Sequence, residues 1–194
     1  MNIPFSFWKD ASPKRKRIYS VIFMLILAIA TTLIGTLVPI SDEYARLIND
    51  TLNQTVTNNT ANGTLIQHIF LNNFLLCLAM FIPLAGAVFG LFVMLNTGIA
   101  LGATLRLQSI TAASAAVPNI SLTTAILGLI GIGLTFLLEY VSYSIGISES
   151  IWLFRRLTQR RWRELKNTAI LIGIVAVFLI IASLVETWVI TALG

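Results

Sequence analysis

The stretch Leu71–Arg106, LNNFLLCLAMFIPLAGAVFGLFVMLNTGIALGATLR, decides how the chain folds. It is apolar enough to lie in a membrane, yet Asn72 and Asn73 open it, Pro83 interrupts it and Arg106 closes it. Two small-residue spacings, Gly86-xxx-Gly90 and Gly98-xxx-Gly102, flank Asn96. Glycines four residues apart leave bare patches on one helix face, where a second backbone can approach closely. The stretch is therefore expected to form two antiparallel helices joined by a tight turn near Asn96-Thr97-Gly98, packed through these four glycines.

Composition sets the surroundings of this stretch. Of 194 residues, 57% are hydrophobic and 11% charged, and the mean hydropathy is +0.87. A soluble domain carries about a quarter charged residues, so the chain belongs in a lipid bilayer. The net charge of +5 gathers at the N-terminus and between residues 155 and 166. Cations that flank apolar spans fit a membrane surface and not nucleic acid. A single cysteine, Cys77, excludes an intrachain disulfide, and a single histidine, His68, leaves little for metal or triad chemistry.

Outward from the deciding stretch, the chain reads as an all-α polytopic bundle of five transmembrane helices. Phe5, Phe7 and Trp8 precede Lys9 and the basic run Lys14–Arg17, a combination suited to the headgroup level. The first span, 18–40, reaches about 35 Å as a helix, enough to cross with some tilt. Residues 41–66 follow as a polar extracytoplasmic loop. It holds Asn-x-Ser/Thr sequons at Asn49, Asn53, Asn58 and Asn62, with a fifth at Asn119; glycosylation there would keep the loop in water.

The remaining spans are expected at about 69–95, 98–117, 121–147 and 168–191. This places the N-terminus inside, the C-terminus outside and the basic segment 151–166 in the cytoplasm. One long helix over 69–106 would give four spans but would put Arg155, Arg156, Arg160, Arg161, Arg163 and Lys166 outside, against the cytoplasmic excess of Lys and Arg. Within IWLFRRLTQRRWREL (151–165), Trp152, Leu153, Leu157 and Trp162 alternate with five arginines. That pattern suits a basic amphipathic helix on an anionic lipid surface, with docking on a cytoplasmic partner as the rival.

Charges inside a membrane call for partners. Helix rise places Glu139 about 27 Å from the outer end of its span and Glu186 about 27 Å from the inner end of its own, with Arg106 about 14 Å above the inner end. Two polar layers result: Glu186 with Asn72 or Asn73 near the outer face, and Glu139 with Asn96 and Arg106 near the inner face. Proton or ion transport needs ionisable groups connected across the core, and chiefly Thr, Ser and Gly lie between these layers. No nucleophile elbow, phosphate loop or zinc-binding His-Glu-x-x-His helix is present, and no cofactor is expected.

These residues resemble the stage II sporulation protein M-like integral membrane family. The resemblance rests on Asn72-Asn73 before a Gly-rich helix, on Leu95-Asn96-Thr97-Gly98 followed by Gly102, on Glu139, and on Ala182-Ser-Leu-Val-Glu186. It covers about residues 15–192, and Leu134-Thr135-Phe136 stands where members often carry Pro-His-Gly. It implies a multispan membrane protein without recognised enzymatic chemistry. The expected role is a scaffold or complex subunit in the plasma membrane of an archaeal-type glycosylated surface, with membrane-protein partners or a homo-oligomer. The alternative is a small-solute or ion permease or channel subunit.

Overall fold

The computed structural model describes residues 11–112 and 122–193, apart from the side chains of 110–112 and 193. Phe5, Phe7, Trp8, Lys9, Asn119 and the expected boundary at 117–121 lie outside these residues. The described chain consists of helices α1 (Pro13–Thr36), α2 (Asp42–Ala61), α3 (Leu65–Met80), α4 (Ala85–Ala112), α5 (Leu122–Thr158) and α6 (Glu164–Leu193). Four of them, α1, α4, α5 and α6, are long and apolar enough to cross a membrane. The apolar α3 has 16 residues, about 24 Å against a hydrocarbon core of about 30 Å. Their outer faces are oily: Ile26, Leu33, Val88, Leu129 and Val177 are all exposed, Leu129 by 74%. A soluble protein rarely leaves so much apolar surface contiguous.

Contacts fix the helix directions. From its start to its end, α4 meets α1 in the same order: Gly98 against Thr32 and Gly35, then Gly102 against Thr36. These two helices run parallel. Residues of α5 meet α1 in reverse, Glu149 by Arg17 and Tyr140 by Thr32, so α5 is antiparallel to α1. In turn α3 follows α5, with Asn73 beside Glu139 and Cys77 beside Ser142, while α6 opposes it. The core between them contains Ala28, Met80, Met94, Tyr143, Ile147 and Leu179.

The break in the deciding stretch falls at Phe81–Leu84, not at Asn96-Thr97-Gly98. Pro83 has no N–H to continue a helix, and Leu84 adopts a left-handed φ of 65°. Ser150 of α5 clamps this turn twice: its hydroxyl donates to the Ile82 carbonyl at 2.7 Å, and its own carbonyl accepts from the Leu84 N–H at 3.3 Å. At the expected turn, α4 is unbroken. Asn96 Nδ2 donates to Phe92 O at 2.8 Å and Thr97 Oγ1 to Val93 O at 3.0 Å, so both polar side chains serve their own helix. Gly98 and Gly102 face α1 and not a sister helix. Gly90 faces Ile147 of α5, and Gly86 sits against the Met80 carbonyl inside the tight α3–α4 turn. The expected pairing of these four glycines across one helix pair is replaced by four different close contacts.

The expected loop 41–66 is largely helix α2. Its start is specified by Ser41, whose hydroxyl accepts from the Tyr44 N–H at 3.2 Å, and by Asp42 and Glu43 in the first turn. At its end Gly63 takes φ 66°, and the pair Thr64 N–H to Asn59 O (2.9 Å) and Gly63 N–H to Thr60 O (3.1 Å) closes a Schellman motif. Ala45 is buried against the bundle, whereas Asn53, Asn58 and Asn62 are exposed and Asn49 half-buried. A similar pair of bonds around Arg160 (φ 56°) ends α5 only at Thr158. Residues 151–158 therefore continue α5 and do not form a separate surface helix.

The glycine contacts carry a testable consequence. A Cβ on Gly98 would run into the Thr32 carbonyl and the Gly35 Cα, whereas one on Gly173 would meet nothing. Gly98→Leu is expected to lower the melting temperature in detergent strongly, and Gly173→Leu to leave it near the parent value. Equal stability of the two variants would refute backbone contact between α1 and α4.

Candidate intramembrane acidic site

Two adjacent residues of α5, Glu139 and Tyr140, face different neighbours in the bundle. The Tyr140 hydroxyl donates to Thr32 Oγ1 at 2.9 Å, and the Thr32 hydroxyl lies 3.2 Å from the Met94 carbonyl, linking α5, α1 and α4. With Tyr140 held on that side, Glu139 points to the other, towards α3 and α6. There Asn73 donates its amide to Glu139 Oε1 at 2.5 Å, and Asn72 Nδ2 lies 3.4 Å from Asn73 Oδ1.

Beyond Glu139, α5 and α6 enclose a cavity of about 270 Å³ lined by Ile132, Thr135, Phe136, Glu139, Glu186, Val189 and Ile190. The helical spacing explains the lining. Thr135 and Glu139 are four residues apart on α5, and Glu186, Val189 and Ile190 form one stripe on α6. Glu139 and Glu186 thus share one site and do not lie at opposite faces.

Arg106 is elsewhere. Its Nε bonds Asp42 Oδ1 at 2.7 Å and its Nη1 bonds the Ile40 carbonyl at 2.8 Å, tying the start of α2 to α4. Asn96 is exposed and serves α4 alone. The two expected polar layers are therefore corrected to a single acidic site and a separate clasp. The expected depths differ because the span of Glu139 does not stop at 147 and that of Arg106 does not start at 98. With α5 running to Thr158, Glu139 stands near the middle of that helix; with α4 starting at Ala85, Arg106 lies near its far end.

A second polar cluster went unread in the sequence. Arg17 Nη2 lies 3.0 Å from Glu149 and 3.1 Å from Glu164, and Thr168 donates to Glu149 at 2.7 Å. Ser148 and Ser20 meet at 2.9 Å, and Trp152 carries the guanidinium groups of Arg17 and Arg156 over its ring. The signal was present in SYSIGISES (142–150), where small residues recur at every second position and one carboxylate, Glu149, stands between two serines. Those serines and Gly146 are buried, since α1, α3 and α6 all press on this part of α5. Arg155, Arg160, Arg161 and Arg163 are exposed at the same end of the bundle.

In comparison with known proteins, the family model described as Stage II sporulation protein M matches residues 21–190. No curated protein and no solved structure matches the chain.

The hydrogen bonds predict two couplings. In a double-mutant cycle, Asn73→Ala and Glu139→Gln should be non-additive, while Arg106→Ala and Glu139→Gln should add; the opposite pattern would refute the placement. At the basic end, Glu149 is only 3% exposed and Arg17 27%. Breaking a buried ion pair from one side costs about 3–5 kcal/mol. Arg17→Met should therefore destabilise strongly, and adding Glu149→Gln should recover most of the loss in denaturant titration.

Proposed function

Because the chain belongs to the stage II sporulation protein M family, we propose that it is a non-enzymatic scaffold on which a further transmembrane segment docks in the plasma membrane. The observation that carries this reading is a groove of about 440 Å³ between α1, α4 and α5, lined by Leu25, Ile29, Leu33, Leu101, Gly133, Phe136 and Leu137, with Thr32 and Tyr140 at its base. Gly35, Gly98, Gly102 and Gly131 each have a neighbour where a Cβ would sit; Gly133 faces open space. Helix contacts in membranes are enriched in small residues because they let backbones come close. A bare glycine in an apolar groove on a spanning helix fits the seat of another helix, from a partner or a second copy.

The same proposal includes five passes, with α3 as the short one running opposite to α4. Its support is the gathering of Lys14, Arg15, Lys16, Arg17 and the 155–166 cations at one end, which by the excess of Lys and Arg in cytoplasmic loops is the inner end. Pro13, Lys16, Trp152, Arg155, Arg156 and Gln159 line a hollow there that suits an anionic lipid headgroup. On the other side Asn62, exposed in the turn that closes α2, is the sequon best placed for glycosylation. The permease reading draws on one feature, the acidic cavity, and would require solute flux in reconstituted vesicles.

Because Gly133 has room, Gly133→Leu should keep the parent melting temperature yet lose the stoichiometric partner or self-association recovered from native membranes. Full retention of the assembly would refute docking in this groove. Topology is checked by single cysteines at Thr57 and Gln159 in a Cys77→Ala background, which should label from opposite sides. Labelling from one side would overturn the five-pass arrangement.

A further inference from the structure

The cavity between α5 and α6 has more acceptors than its own walls can satisfy. Glu139 receives the Asn73 amide on one oxygen. Its second oxygen and both oxygens of Glu186 remain, and among the described residues lining the cavity there is no Lys, Arg or His. Thr135 adds an independent sign. It is 7% exposed, and its hydroxyl is buried without a partner. Thr31, Thr97 and Thr104 each donate to the carbonyl four residues back in their own helices. Thr135 does not, although it has the same option, and it is one of the residues that line the cavity.

We propose that this cavity binds a small organic cation, a primary ammonium with a short apolar body. Its N–H groups would donate to Glu186, Glu139 and the Thr135 hydroxyl, since an ammonium offers three donors and no acceptor. Its apolar part would lie on Ile132, Phe136, Val189 and Ile190. Size and walls select this class over a bare metal ion. A water occupies about 30 Å³ of liquid, so a cavity of about 270 Å³ holds a molecule of several heavy atoms. Calcium takes six to eight oxygen ligands, whereas among the described residues no third Asp, Glu, His or Cys joins the two carboxylates. Ile132 and Phe136 are partly exposed at the rim, so a ligand can enter from the side of the bundle. The groove at Gly133 lies on the neighbouring face of α5, and the inference does not depend on it.

The test is calorimetric titration of the full chain in nanodiscs with propylammonium chloride, against sodium chloride at constant ionic strength. Saturable heat with propylammonium and none with sodium is expected. Glu186→Gln should weaken the binding by about tenfold or more, the loss expected for a charge-assisted hydrogen bond. Thr135→Val, which keeps the side-chain shape, should weaken it as well and serves where Glu186→Gln fails to fold. Absence of propylammonium binding, equal binding of sodium, or unchanged affinity in the folded variants would overturn the assignment.

Discussion

The arrangement of the bundle depends on α1 and α4 touching backbone to backbone at Gly35 and Gly98. No side chain separates them there, and the Leu95 carbonyl occupies the place a Cβ of Gly35 would need. In lipid, helices gain little from hiding apolar surface, because the tails are as apolar as leucine; dense packing has to hold them. Once α1 and α4 are this close and parallel, Thr32 comes within reach of the Met94 carbonyl, and Tyr140 can find Thr32. Further along the pair, Arg106 reaches over to Ile40 and Asp42.

That contact then sets the register of α5. Interhelical hydrogen bonds in membranes contribute on average about 0.6 kcal/mol, so the Tyr140–Thr32 bond selects a register and does little to hold the bundle by strength. Neighbouring residues on a helix point about 100° apart, and with Tyr140 turned to α1, Glu139 is turned to α3 and α6. The Thr158 end of α5 is fixed by stronger chemistry, the Arg17–Glu149–Glu164 cluster and the two-way Ser150 clamp on the α3–α4 turn. The clamp answers a requirement of the environment: backbone groups freed by a proline near lipid need protein partners, as little water can serve them.

Much of this was legible in the residues. Apolar runs gave the helical bundle, and the paired basic clusters anticipated that Arg17 and the 155–166 arginines share one end. The sequence marks the Asn72-Asn73 pair and the two glutamates as groups in need of partners, but pairs the amides with Glu186, whereas Asn73 meets Glu139. Two causes account for this. Asn-Thr-Gly marks a turn where water competes for the backbone, yet in a spanning helix Asn96 and Thr97 bond back to their own turn and Gly98 is kept small for a neighbour. Misplacing that one turn moved Arg106 from the far end of a long helix into the inner half of a short one. The second cause lies in α2: its Asn- and Thr-rich composition reads as loop, and only the Ser41 cap and the Asn62-Gly63 stop reveal the helix between them.

The short α3 connects these features to the site. From Asn73, level with Glu139, α3 extends back only to Leu65, eight residues or about 12 Å. In the same direction α5 continues well past it to Leu122, and Leu122, Ile126, Leu129 and Ile130 there are exposed. Asn73 therefore closes the acidic site on the side towards Thr158, while on the side towards Leu122 no helix among the described residues covers α5 as α3 does there. A full-length span in place of α3 would carry its amides to the membrane surface, as the depth reckoning from 69 assumed, and would cover the cavity mouth. Starting late and ending early at Met80, ahead of Pro83, α3 instead delivers an amide donor to a carboxylate near the middle of α5 and leaves Glu186 facing an accessible cavity.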